Sequence, residues 1–242
     1  MIQFNPKFVM TRNVRGYEVL MDGLEMAAGE GRFGMVSSQS GLGKTRTAQW
    51  WHASNPSVYL PTKKVWETSE TDFLLDLARE LGVGGQARRK GRIFGDILDS
   101  LIGNPIPLII DEVERLPQAF LEILRDLTNL STAPVVLIGE EELMPHMQRN
   151  RRVWTRTYRQ LQFKPISQSD VMIYAGETCG LKLSPQCADI IQKAKTRDIT
   201  DGNFRLVKRS LLSLVQICNA KGTVEVSEEM ARIAVESGLN GV

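Results

Sequence analysis

At 242 residues, with 42% hydrophobic and 24% charged side chains, the chain is long enough for one domain of ordinary size and a smaller appendage. A net charge of +2 excludes a chain-wide basic field, so any affinity for nucleic acid must come from local clusters. No apolar run approaches the ~18 residues of a membrane span, and "MIQFNPKFVMTRNVRG" has no apolar leader, which predicts a cytoplasmic protein without a membrane partner. Cys179, Cys187 and Cys218 are odd in number and lack metal-ligand spacing, so they are expected to be reduced and mostly buried. His52 and His146 are too isolated to suggest catalysis.

The first apolar run, "FGMVS" at 33–37, predicts a buried strand. It leads into "SSQSGLGKT" at 37–45, close to the phosphate-loop pattern G-x-x-x-x-G-K-[ST] except that Ser38 stands at the first glycine. A helix through "TRTAQWW" follows. In that context the backbone N–H groups of Ser40, Gly41, Leu42, Gly43, Lys44, Thr45 and Arg46 are expected to cradle phosphate oxygens at a helix N-terminus. Lys44 reaches the β and γ phosphates, and Thr45 ligates Mg²⁺.

A second strand is expected at 57–61, "SVYLP", with Lys63 and Lys64 just past its end. "TDFLLDLARELG" has helical spacing and a cap in Ser69 with Asp72. "GVGGQARRKGR" reads as a glycine-bearing loop carrying Arg88, Arg89, Lys90 and Arg92, either a solvated basic segment or one that follows a phosphate backbone. In "IPLIIDE" at 106–112, an apolar strand ends in Asp111 and Glu112, where ligand crevices open in parallel sheets. Asp111 is assigned to Mg²⁺, directly or through water, and Glu112 to polarising the attacking water.

"PQAFLEILRDLTNL" predicts a helix with Pro117 at its first position, and "PVVLIGE" at 134–140 a fourth strand. Arg149, Arg151, Arg152, Arg156 and Arg159 follow, a run that reads alone as a solvated face or a nucleic-acid surface. "LQFKPI" at 161–166 is the fifth strand candidate. Strand and helix alternate up to there, implying a parallel sheet covered on both faces. Beyond it, helix starts at Ser167, Ser184 and Ser227 dominate, and "KGTVEV" reads as a turn or short strand. The expected division is 1–166 for a nucleotide-binding domain and 167–242 for a small helical domain. In "DGNFRLVKRSLL", Arg205 follows candidate caps Asp201 and Asn203.

Together, "SGLGKT", "LIIDE", "VVLIG" with a polar end, the arginine run and "GNFR" resemble an AAA+ ATPase. Within that superfamily the chain is similar to the transposition-associated ATPases of the phage Mu B type and the target selectors of bacterial transposons. The resemblance implies an α/β P-loop fold with a helical lid, ATP and Mg²⁺, and a homo-oligomer on double-stranded DNA that selects target sites for a transposase. It implies a γ-phosphate sensor at the fourth strand's end, where Glu140 stands in place of the usual Asn or Thr, and a lid sensor at Arg205. It makes Arg156 the finger that completes a neighbouring subunit's site, an effect of ~10³-fold or more in rate. It tips Lys63, Lys64, Arg88, Arg89, Lys90 and Arg92 towards sequence-nonspecific duplex contact, and gives "FVMTRNVRGYEVL" a part in enclosing adenine. The Mu B type carries an added N-terminal DNA-binding module, for which residues 1–30 are too short, so a compact form is expected. The alternatives are a helicase loader or other replication ATPase, and a nucleotide-gated scaffold with little turnover.

Overall fold

Strand β1 (Phe33–Ser37) is buried along its whole length, as an interior strand built of apolar and small residues must be when helices cover both faces. The computed structural model describes residues 1–27, 32–84 and 89–239. With β2 (Val58–Pro61), β3 (Leu108–Asp111), β4 (Val135–Gly139) and β5 (Thr157–Gln162) it forms an all-parallel sheet of order β2-β3-β4-β1-β5. β3 and β4 are also wholly buried, and their apolar runs are what the sequence shows most plainly.

The helices before and between the strands are α1 (Arg12–Met26), α2 (Lys44–His52), α3 (Glu70–Glu80), α4 (Lys90–Gly103), α5 (Gln118–Ser131), α6 (Leu143–Arg149) and α7 (Arg151–Trp154). Ser69 caps α3 by accepting the Asp72 N–H at 3.2 Å. Pro117 sits one position earlier than expected, at the cap of α5, where its missing N–H costs nothing. The fifth strand begins four residues before the apolar run "LQFKPI" and ends at Gln162. As an edge strand it carries Tyr158, Arg159 and Gln160 exposed, so its backbone pairs with β1 without the apolar signature of a central strand.

After β5 come α8 (Gln168–Cys179), α9 (Pro185–Gln192), α10 (Phe204–Lys221) and α11 (Glu228–Leu239). Ser167 and Asp170 form a reciprocal capping box, Ser184 precedes Pro185 at the start of α9, and Ser227 accepts the Met230 N–H at 3.2 Å. α8 and α10 stop at Gly180 and Gly222, both left-handed. "KGTVEV" forms no strand. All three cysteines are buried and unbridged.

The chain divides into two compact units: Gly16–Gln39 with Lys44–Phe163, and Met1–Arg15 with Ser40–Gly43 and Lys164–Val242. The second unit thus includes two stretches that lie before residue 166. The first unit's core gathers Phe33, Trp66, Phe73 and Phe120 with the apolar residues of β2, β3 and β4. In the second unit, Tyr174, Leu211 and Leu214 centre a core that Val9 and Phe4 join from the N-terminus. There Asn13 and Lys164 exchange hydrogen bonds of 2.8 and 3.0 Å. Among the described residues no helix is long and apolar enough to cross a membrane.

Candidate functional site

The loop leaving β1 explains why serine serves where the phosphate-loop pattern asks for glycine. Ser38 has no positive φ, so its place makes no conformational demand for glycine. Its carbonyl and hydroxyl oxygens accept from Lys44 Nζ at 2.7 and 3.1 Å, and the Gln39 carbonyl accepts at 3.0 Å. A buried ammonium needs this company, and Lys44 is only 8% exposed.

Gly41 and Gly43 do adopt left-handed conformations, at φ +82° and +96°. Gly41 is also pressed by its neighbour, since a Cβ there would stand 2.5 Å from Asn203 Oδ1. Asn203 is buried at the cap of α10 and donates to the Ser40 carbonyl at 2.8 Å, while the Phe204 N–H reaches the Gly41 carbonyl at 3.1 Å. The loop tip is therefore held by the "GNFR" segment within the helical unit. Arg205 itself is exposed on the first turn of α10, and its N–H donates to Asn203 Oδ1 at 2.9 Å. Leu42 is buried, whereas Arg46 is exposed on α2.

In the sheet unit, Thr45 Oγ1 donates to Asp111 Oδ2 at 2.8 Å. The same oxygen accepts the Tyr59 hydroxyl at 2.8 Å, and Oδ1 accepts the Glu112 N–H at 2.9 Å. Burial and the Asp111 charge push the Tyr59 phenol well above its ordinary range, which keeps it a donor. Tyr17 on α1 is fully buried and is raised for the same two reasons, burial first. A hydroxyl and a carboxylate oxygen 2.8 Å apart are hard donors of the kind Mg²⁺ accepts beside water and phosphate oxygens, so the residues fit that ion.

Glu112 follows at φ 58°, ψ 41°, a left-handed conformation that a side chain adopts only at some cost. Its carboxylate is exposed and meets Arg115 Nη1 at 2.7 Å. Past β4, Glu140 is exposed. The acid packed against that strand end is Glu114: a Cβ built on Gly139 would collide with its Oε2, which is buried without a hydrogen-bond partner. Burial raises its pKa foremost, its own N–H and that of Glu140 lower it, and the net direction is upward.

Arg156 Nε donates to Asn129 Oδ1 at 3.2 Å and Nη1 to the Arg152 carbonyl at 2.9 Å, while Arg151 and Arg152 are exposed on α7. The basic candidates past β2 separate into two kinds. Lys63 pairs with Asp76 at 2.8 Å, and Lys90 pairs with Glu70. Lys64, Arg89 and Arg92 are exposed. Lys90 and Arg92 are not loop residues: they form the first turn of α4, because the apolar spacing of Ile93, Ile97 and Leu101 extends the helix back to them. Arg88 lies outside the described residues.

Three residues join these groups in roles that the sequence does not announce. Tyr59 is an aromatic on a short strand and matches no motif; Glu114 is one more acid after an acidic pair. Asn203 did carry a signal, its capping position, but not the contact with the loop tip that the cap brings about.

The AAA domain family matches residues 27–147. The chain is 26% identical over 212 residues to the Mu-like prophage FluMu DNA transposition protein B of Haemophilus influenzae, spanning 85% of this chain and 71% of that one. It is 26% identical over 237 residues to the ATP-dependent target DNA activator B of Escherichia phage Mu, spanning 95% and 72%. In fold it is similar to the Aeropyrum pernix ORC2 protein solved in ADPNP-ADP complexes, at a TM-score of 0.65 and 16% identity over 97% of this chain and 69% of that one. With the family match covering half its length and Mu B-type relatives aligned along most of the rest, the chain belongs to the AAA domain family as a Mu B-like AAA+ ATPase.

Proposed function

We propose that this protein is an Mg²⁺-dependent ATPase that assembles on double-stranded DNA in its ATP state, selects target sites and activates a transposase. The observation that carries the reading is the Thr45–Asp111 pair, set beside Lys44 and followed by Glu112, in a chain alignable along 95% of its length with a protein named for ATP-dependent target DNA activation. Thr45 and Asp111 would hold Mg²⁺, which supplies charge neutralisation at the phosphates when bound. Lys44 and the loop N–H groups from Ser40 to Arg46 bind the phosphates. Glu112 orients a water by accepting its proton, and must leave Arg115 to do so.

Arg156 serves a neighbouring subunit once its bonds to Asn129 and Arg152 are exchanged for a phosphate. Arg205 and Glu140 contribute to nucleotide sensing from the helical lid, residues 167–242, and from the end of β4. Lys64, Arg88, Arg89 and Arg92 contact DNA phosphates, with Lys63 and Lys90 available only after their acidic partners yield. The protein acts in the cytoplasm, where DNA and ATP are both present.

The test is ATP hydrolysis without DNA, with duplex and with single strands, at two salt concentrations, using Lys44→Ala as the blank. The reading expects stimulation by duplex that fades with salt, and its loss in Arg156→Ala while isolated subunits still bind ATP. Binding without turnover would make the chain a nucleotide-gated scaffold instead. Preference for single strands would point to a replication role.

A further inference from the structure

The carboxylate at the end of β3 does not stand alone. Asp111 is the last residue of the strand, is 3% exposed, and has both oxygens engaged in hydrogen bonds. Two of its three hydrogen bonds come from the loop helix and its own following residue. The third comes from β2, where Tyr59 lies opposite Ile109 and its long side chain reaches two residues further to the end of the neighbouring strand. The Gln49 side chain on α2 donates in turn to the Tyr59 oxygen. A chain of polar contacts thus runs from α2 through β2 to β3 and returns to α2 at Thr45.

We propose that Tyr59, supported by Gln49, is a positioning residue for the metal: it fixes the orientation of the Asp111 carboxylate and so sets the affinity of the site for Mg²⁺. The proposal rests on the Mg²⁺-ATP reading above. Its physical basis is the sharing of one oxygen. Asp111 Oδ2 accepts Tyr59 and Thr45 at the same 2.8 Å, so the phenol holds the carboxylate from β2 while Thr45 holds it from α2. Without the phenol the carboxylate is held only by Thr45 and the Glu112 N–H, and an ion with strict octahedral demands suffers most from the looser hold. Loss of such an outer partner commonly costs a metal site ~10-fold or more in affinity.

The experiment is a titration of Mg²⁺ against the binding of a fluorescent ATP analogue, in wild type, Tyr59→Phe and Gln49→Ala, repeated in EDTA and accompanied by thermal melting. Tyr59→Phe should raise the Mg²⁺ midpoint about 10-fold while nucleotide binding in EDTA stays at the wild-type level. Gln49→Ala should move the midpoint the same way by a smaller factor. An unchanged midpoint in Tyr59→Phe overturns the proposal, as does an equal loss of binding with and without the metal, which would mark Tyr59 as structural. If wild-type binding itself ignores Mg²⁺, the metal reading under the proposed function fails instead.

Discussion

The ends of β3 and β4 lie side by side in the sheet, and each has an acid beside it, yet the two acids live in opposite conditions. Asp111 receives Thr45, Tyr59 and the Glu112 N–H, so its negative charge is answered on both oxygens. Glu114, three residues later, lies against Gly139 with one oxygen buried and unpartnered, and its pKa is raised, by burial first. Carboxylates of equal chemistry thus meet different surroundings: side-chain and backbone donors reach both oxygens of Asp111, while burial outweighs the donors that reach Glu114. Position in a motif is thus a weaker guide to role than the count of donors around the group.

That contrast can be broken at each end. The largest effect is expected at the first: Glu112→Gln keeps the N–H that donates to Asp111 but removes the proposed base, so ATP should bind normally while turnover falls at least 100-fold and DNA-bound assemblies persist. Steady-state hydrolysis beside nucleotide binding checks this, and turnover near wild type would remove Glu112 from the chemistry. Next comes Gly139→Ala, whose methyl group meets the Glu114 carboxyl and Leu143, for an expected loss of about 1–3 kcal/mol in chemical denaturation.

The smallest effect sharpens the comparison. Because the folded chain holds the Glu114 proton more tightly than the unfolded chain does, this group's contribution is fully present below the ordinary glutamate pKa and is lost as pH rises through the raised value. Glu114→Gln should remove that loss, leaving the variant modestly more stable than wild type near neutral pH and no more stable in acid. Melting curves across that range would show it. A variant less stable at neutral pH would mean that the ionised carboxylate is welcome where it lies.

The legible parts of this molecule are those where one physical cause dominates. β1, β3 and β4 are runs of mostly apolar residues because both of their faces are covered, and α8, α9 and α11 start where a serine can meet an N–H three residues on. β5 starts several residues before its apolar run because an edge strand shows polar side chains to water, which erases the pattern. The start of α4 looks like a loop in the sequence because its first turn carries Lys90, Gly91 and Arg92, while the apolar contacts that extend it come later in the chain. At the site, Lys44, Thr45 and Asp111 announce themselves by motif. Tyr59, Glu114 and the grip of Asn203 on the loop tip arise only when distant segments meet.

The left-handed backbone at Glu112 has a consequence for how this protein tolerates change. A side chain in that conformation costs roughly 1 kcal/mol relative to glycine, so the fold would gain stability from Gly at the position where the proposed chemistry needs an acid. A strand continued through this point would send adjacent side chains to opposite faces; the turn interrupts that alternation between Asp111 and Glu112. Selection for robustness and selection for turnover therefore pull this residue in opposite directions, and a more stable relative with glycine there would be expected to keep its nucleotide and lose its turnover.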